Sequence, residues 1–132
     1  MLEVTKNLMI HAPIESVWTA LTEPKSISAW MGGKVQSDPR VGGKYAYFDG
    51  ETTGQYTLVE APQRLEYSWR QSSWTSDWSD SIVRWSLRQI GENTEVRLLH
   101  EDFPNEEERD GHDEGWDTYW LIPMQRWLEG NS

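Results

Sequence analysis

The chain contains no cysteine, which excludes disulfides, thiol chemistry and a cysteine-based zinc site, and gives no reason to infer an oxidising compartment. It is short of positive charge. Only 12 Lys and Arg stand against 22 Asp and Glu, for a net charge of −10, so nucleic acid and anionic membrane, which both need a basic surface, are not expected partners. No segment approaches the roughly 20 apolar residues of a membrane span. The opening Met1-Leu2-Glu3-Val4-Thr5-Lys6 also lacks the basic start and apolar core of a signal peptide. A soluble, cytoplasmic protein is expected. Internal repeats, low-complexity tracts and linkers are absent too, and 132 residues suit one domain, 1–132, able to bury a core without disulfides or metal.

The familiar catalytic signatures are missing as well. There is no G-x-S-x-G elbow, P-loop or dinucleotide glycine motif, which demotes nucleophilic catalysis and nucleotide binding. His11, His100 and His112 lie on different elements without ligand spacing, so neither a metal nor another cofactor is expected, and no catalytic residue is assigned. The acidic stretch from Glu101 to Gly115 lacks the ligand order of an EF-hand loop and reads as a solvated connector. Asp113 and Glu114 there suit the positive end of a following helix.

What the chain does have is aromatic density near its C-terminus. From His112 to Trp127, Trp116, Tyr119, Trp120, Pro123 and Trp127 recur at three- and four-residue steps, the spacing of one helical face, and Leu121, Met124 and Leu128 widen that face. Pro123 predicts a kink or a division into two shorter helices. Upstream, Leu2, Val4, Leu8 and Ile10 alternate as a first strand, and Pro13 opens a short helix carrying Ile14, Val17, Trp18 and Leu21. A second helical piece spans Pro24 to Trp30. From Lys44 to His100 the pattern is strands and turns: Tyr45 and Tyr47, then Gly54 to Glu60, then Leu65, Tyr67 and Trp69 against Glu66, Ser68 and Arg70. Val83, Trp85 and Leu87 repeat the alternation, as do Val96 and Leu98 beyond the turn Gly91-Glu92-Asn93. The implied fold is α+β: a curved antiparallel sheet of about six or seven strands around a long C-terminal helix, with two short helices after the first strand. Trp74 and Trp78, between two good strands, read first as strand extensions, and otherwise as a lid or an exposed partner surface.

Several stretches together carry a family resemblance. Residues 12–22, Ala-Pro-Ile-Glu-Ser-Val-Trp-Thr-Ala-Leu-Thr, resemble the opening helix motif of the activator of heat-shock protein 90 ATPase homologues, in the START-like or helix-grip superfamily. Trp30, the turn Asp38-Pro39-Arg40-Val41-Gly42-Gly43, and Gly115-Trp116 at the last helix are similar to the family's other landmarks. The resemblance implies an elongated cavity between sheet and helix that binds a small, mostly apolar molecule, with a minority of superfamily members catalysing cyclisation or hydrolysis.

The function expected is therefore a module that binds a small apolar or aromatic ligand rather than an enzyme. Trp69, Trp85, Trp116, Tyr119, Trp120 and Trp127 are expected as the wall, with Tyr67 and His100 as polar contacts; the same side chains could equally fill the cavity. The alternative is a protein-interaction module assisting a chaperone through the acidic surface and the Trp74/Trp78 segment. A cyclase- or hydrolase-like enzyme, with His100, Arg84 or Glu66 as acid or base, ranks third, since alternation places Arg84 and Glu66 outside. No oligomeric state is assigned.

Overall fold

In the computed structural model, residues 2–130 are described. Strand β1 (Val4–Ile10) buries Val4 and Ile10. Lys6, in phase with them, is met by Asp113 and Asp117 at 2.8 and 2.9 Å, so a cation on the inner face is neutralised by the helix lying over it. Pro13 stands just before α1 (Ile14–Thr22), and the Gln89 side chain accepts the Ile14 N–H at 2.7 Å, serving one orphan donor of the first turn. Pro24 opens α2 (Pro24–Met31) at a position where its missing N–H costs nothing. Trp30 on α2 donates its indole N–H to the Ala20 carbonyl at 2.9 Å and locks the two helices together.

Six strands follow or precede one another with short antiparallel connections: β2 (Gln36–Ser37), β3 (Lys44–Tyr47), β4 (Thr52–Glu60), β5 (Arg64–Gln71), β6 (Ser81–Ile90) and β7 (Asn93–Glu101). With β1 they form one seven-stranded sheet in the order β1-β7-β6-β5-β4-β3-β2, every pair antiparallel. Because β1 and β2 lie on opposite edges, α1 and α2 carry the chain from one edge to the other. Register puts Val4, His100, Val83, Tyr67 and Tyr56 in one row across five strands, and all five are buried. The opposite face carries the charges, with Arg84 bonded to Glu66 and Glu101 at 2.7 Å each. At Gly54 a side chain would strike the Tyr45 ring at 2.5 Å, so the bare backbone lets that ring lie on the strand and its hydroxyl reach the Ser68 carbonyl.

The sheet grips helix α3, residues 106–130, in which an α-helical first part (Glu106–Gly115) and last part (Ile122–Gly130) flank a π-helical turn (Trp116–Leu121). Two expectations are corrected here. The acidic stretch is not all connector: the helix begins at Glu106, where the Asn105 side chain accepts the Glu108 N–H at 2.8 Å and Glu106, Glu107 and Glu108 sit on the positive helix end. Asp113 and Glu114 lie well inside. Nor does Pro123 divide the helix. The Ile122 N–H reaches back five residues to the Asp117 carbonyl, and this wide turn accommodates a ring that would otherwise press on the preceding turn. Of the expected face, Trp116, Trp120, Leu121, Met124 and Leu128 are buried and Pro123 and Trp127 half-buried, whereas Tyr119 is turned out and left 61% exposed.

A third correction concerns Trp74 and Trp78. They do not extend strands: β5 stops at Gln71 and β6 starts at Ser81, and residues 72–80 form a loop. The Arg70 guanidinium holds that loop through the carbonyls of Thr75 and Trp78 and the Asp80 carboxylate. Trp74 is buried rather than displayed, donating its indole N–H to Glu108 on the helix at 2.6 Å, with Trp78 packed edge-on against it.

Candidate functional site

The concave side is filled along much of its length by aromatic side chains. Trp116 and Trp120 meet at a tilt with ring centres 4.7 Å apart; Trp69 lies 5.1 Å from the first, and Tyr47 and Trp30 meet the second edge-on at 5.2 and 5.5 Å. Trp85 and Tyr67 belong to this filling. The Trp85 indole donates to the Tyr67 hydroxyl at 2.9 Å, and burial pushes the phenol far above its ordinary pKa. The elongated cavity is therefore largely occupied by the side chains that line it.

Space remains at one end. A cleft of about 240 Å³ opens beneath the first part of α3. Its walls are Trp69 from β5, Trp116, Tyr119 and Trp120 from the π turn, and Phe48 from the turn after β3; polar groups come from Thr52, Gln71, His112, Glu107 and Glu108. Phe48 and Tyr119 face each other edge-on at 6.4 Å. Phe48 has φ of 53°, a left-handed conformation that side chains beyond glycine rarely adopt and that costs on the order of 1–3 kcal/mol. The turn holding it is tied down by the Asp49 carboxylate, which accepts the Lys34 N–H at 2.8 Å.

Two histidines sit behind and beside the cleft, and the hydrogen bonds assign both tautomers. The Trp116 indole N–H donates to His100 Nδ1 at 3.0 Å; an indole only donates, so the His100 proton sits on Nε2 and points at Ser81 Oγ, 2.7 Å away. The Ser81 hydroxyl in turn donates a hydrogen bond to the Trp69 carbonyl at 3.0 Å. Trp69 then donates its indole N–H to His112 Nε2 at 3.1 Å, which leaves His112 Nδ1–H to donate to the Glu108 carbonyl at 2.8 Å. Both imidazoles are neutral in this network. Burial lowers the pKa of His100 well below the usual imidazole value, with His112 adding to the effect; burial also lowers His112, partly offset by Glu108.

The close Ser81–His100 pair is not a catalytic dyad. A nucleophilic serine needs a histidine nitrogen that accepts its proton, whereas His100 Nε2 donates to Ser81, and both groups are fully buried. Among the described residues no set of three or more His, Asp or Glu side chains could hold a metal ion, and no buried side-chain nitrogen or oxygen lacks a partner.

Of the residues expected to form a binding wall, Trp69, Trp116, Tyr119 and Trp120 come together around the cleft. Trp85, Tyr67 and His100 lie behind it in the filled interior. Trp127 is half-buried at the far end, in a wider surface groove lined mainly by polar side chains such as Glu15, Gln89 and Asn93. Phe48, Thr52, Gln71, His112, Glu107 and Glu108 were not selected from the sequence. Only the row of glutamates could have been placed there, had Asn105 been taken as a helix cap.

A seven-stranded antiparallel sheet around one long helix, with two short helices after the first strand, is the helix-grip or START-like architecture. The family model "Activator of Hsp90 ATPase homolog 1-like protein" matches residues 11–128, and the chain belongs to that family. An uncharacterized protein of Schizosaccharomyces pombe is 24% identical over 106 residues, 80% of this chain and 31% of the relative, so the chain spans about a third of that protein's length. An HSP90 activator from Plasmodium falciparum superposes with a TM-score of 0.87 at 20% identity, covering 97% of this chain and 96% of the other. CalU16 from Micromonospora echinospora does so at 0.83 and 27% identity, over 98% and 76%. No helix among the described residues is long and apolar enough to cross a membrane.

Proposed function

We propose that this protein is a binding module for a small, ring-sized apolar or aromatic molecule, held in the cleft between Trp69, Trp116, Trp120 and Phe48. The observation that carries this reading is an aromatic-walled opening at one end of the grip, beneath the first part of α3. Ligand sites are typically roughly 300–1,000 Å³, so about 240 Å³ suits one ring and a short substituent rather than a lipid or polyketide. The strained Phe48 turn supports it too, because such backbone is kept where surrounding structure holds a side chain in a required place.

A second reading, a chaperone-associated interaction module, draws support from the family and from the likeness in fold and length to the Plasmodium activator. It would not use a Trp74/Trp78 surface, since Trp74 is buried. One titration separates the two. With indole as the probe, the Trp69, Trp116 and Trp120 side-chain N–H signals and the Phe48 ring signals should shift in NMR spectra while those of Trp30 and Trp127 stay still. If none moves up to the solubility limit, and the protein instead raises the ATPase rate of purified HSP90, the cleft reading is wrong and the chaperone reading replaces it.

A further inference from the structure

The cleft has a charge as well as a shape. Among the described residues no Lys or Arg lines it. Its imidazole brings no positive charge, because His112 accepts the Trp69 indole N–H on one nitrogen and donates to the Glu108 carbonyl from the other. The polar wall on the helix side is Glu107 and Glu108, and on the sheet side it is neutral, Thr52 donating to the Gln71 amide oxygen. Three cations on β1, β5 and the first part of α3 are committed elsewhere: Arg70 to the loop carbonyls and Asp80, Arg109 to the Glu3 carbonyl, Asp110 and Asp113, and Lys6 to Asp113 and Asp117.

The start of α3 would favour an anion, since a helix N-terminus is equivalent to roughly +0.5 charge. Three carboxylates in that first turn, Glu106, Glu107 and Glu108, outweigh it, and Asn105 already occupies the Glu108 N–H. A carboxylate or phosphate ligand would meet like charge and no counter-ion. A cation would gain twice, from the carboxylates and from the electron-rich faces of tryptophan, the best of the aromatic partners.

We infer that the cleft selects an organic ammonium ion, an aromatic or apolar group carrying an amine, with the ring against Trp69, Trp116 and Phe48 and the charged nitrogen toward Glu107 and Glu108. The inference rests on the cleft being a binding site, and its test keeps the two apart. Phenethylamine, 2-phenylethanol and 3-phenylpropanoate share one ring and a two-carbon arm but differ in charge. Each is titrated into the full chain, and affinity is read from the indole N–H signals of the nine tryptophans. The amine should bind about ten-fold more tightly than the alcohol, a difference within reach of one exposed ion pair plus a cation–π contact, and the carboxylate more weakly than either. Added salt should weaken the amine and leave the alcohol unchanged. Glu107→Gln with Glu108→Gln should bring amine and alcohol together; if loss of the Glu108–Trp74 bond unfolds that variant, Glu107→Gln alone and the salt series carry the test. An alcohol that binds as tightly as the amine, or a carboxylate that binds best, overturns the charge assignment and leaves the cleft standing. If none of the three moves Trp69 or Trp116, both fall.

Discussion

The two ends of the grip are built from different materials. At one end the last part of α3 packs Met124 and Leu128 against α1, α2 and β1, in a core of Ile10, Val17, Leu21 and Ile27. These side chains are aliphatic or thioether, without polar atoms to satisfy, and they close-pack. At the other end the first part of α3, Glu106–Gly115, buries none of its own residues. It stands over Trp69, His100 and Trp116, whose nitrogens must each find a partner, and the geometry those bonds impose leaves the cleft. Closure here follows from composition. An apolar end collapses until it is full, whereas an end made of indoles and imidazoles stops where its hydrogen bonds are satisfied.

The largest expected effect tests the closed end. Met124 is completely buried, so Met124→Ala should cost about 2–5 kcal/mol through lost contacts and a residual cavity, read as a lower urea midpoint. Affinity of the folded fraction for indole should stay within two-fold, because Met124 is not among the cleft residues. A variant that loses the indole-induced shifts while keeping its stability would dissolve the division into two ends.

Acid should act on the open end, which holds both imidazoles of the network, His100 buried and His112 half-buried. His100 and His112 have folded pKa values below the usual 6.5, so the unfolded chain binds their protons first. Stability from this source is fully present above pH 6.5 and is lost as pH falls from there toward the folded values, by at most about 1.4 kcal/mol per pH unit for each imidazole. Charging either ring also sets an N–H against an indole N–H. Amide protection factors, exchange rates corrected for the intrinsic pH dependence, should therefore fall first around Trp69, His112 and Trp116 between pH 7 and 5, with the amides near Met124 following only at global unfolding. The reverse order would mean that the histidines are not what holds the open end.

The sheet was more legible than the first part of α3 and the turns around the cleft. Alternation in β5, β6 and β7 and the turn at Gly91 predict the strands that are found, because a half-buried strand writes its burial directly into every second residue. The inward placement of His100, and the outward placement of Arg84 and Glu66, follow from the same parity. The open end wrote much less. Residues 106–115 bury nothing, so they carry no apolar period and read as connector; the only local sign of helix is Asn105 with its run of glutamates. The outward position of Tyr119, expected on the inner face beside Trp120 and Met124, goes with a π turn that residue spacing alone does not announce. Phe48, Thr52 and Gln71 reach the cleft only because β3, β4 and β5 pair in a given register, a tertiary fact that no local pattern holds.

The smallest effect is the most direct test of how separate the two ends are. Asn105 caps α3 through the Glu108 N–H, and its replacement by Ala should cost about 1 kcal/mol. Since the helix there buries no side chain of its own, the loss should be felt as fraying: amide exchange across Arg109 to His112 should rise about five-fold, the equivalent of that energy, while amides from Met124 to Leu128 keep their protection. Glu107, Glu108 and His112 all stand on the frayed turns, so affinity for any cleft ligand should fall with it. If exchange instead rises evenly along the whole helix, the π turn transmits the damage. The grip would then be one cooperative unit, and the cleft would owe its shape to the closed end as much as to its own hydrogen bonds.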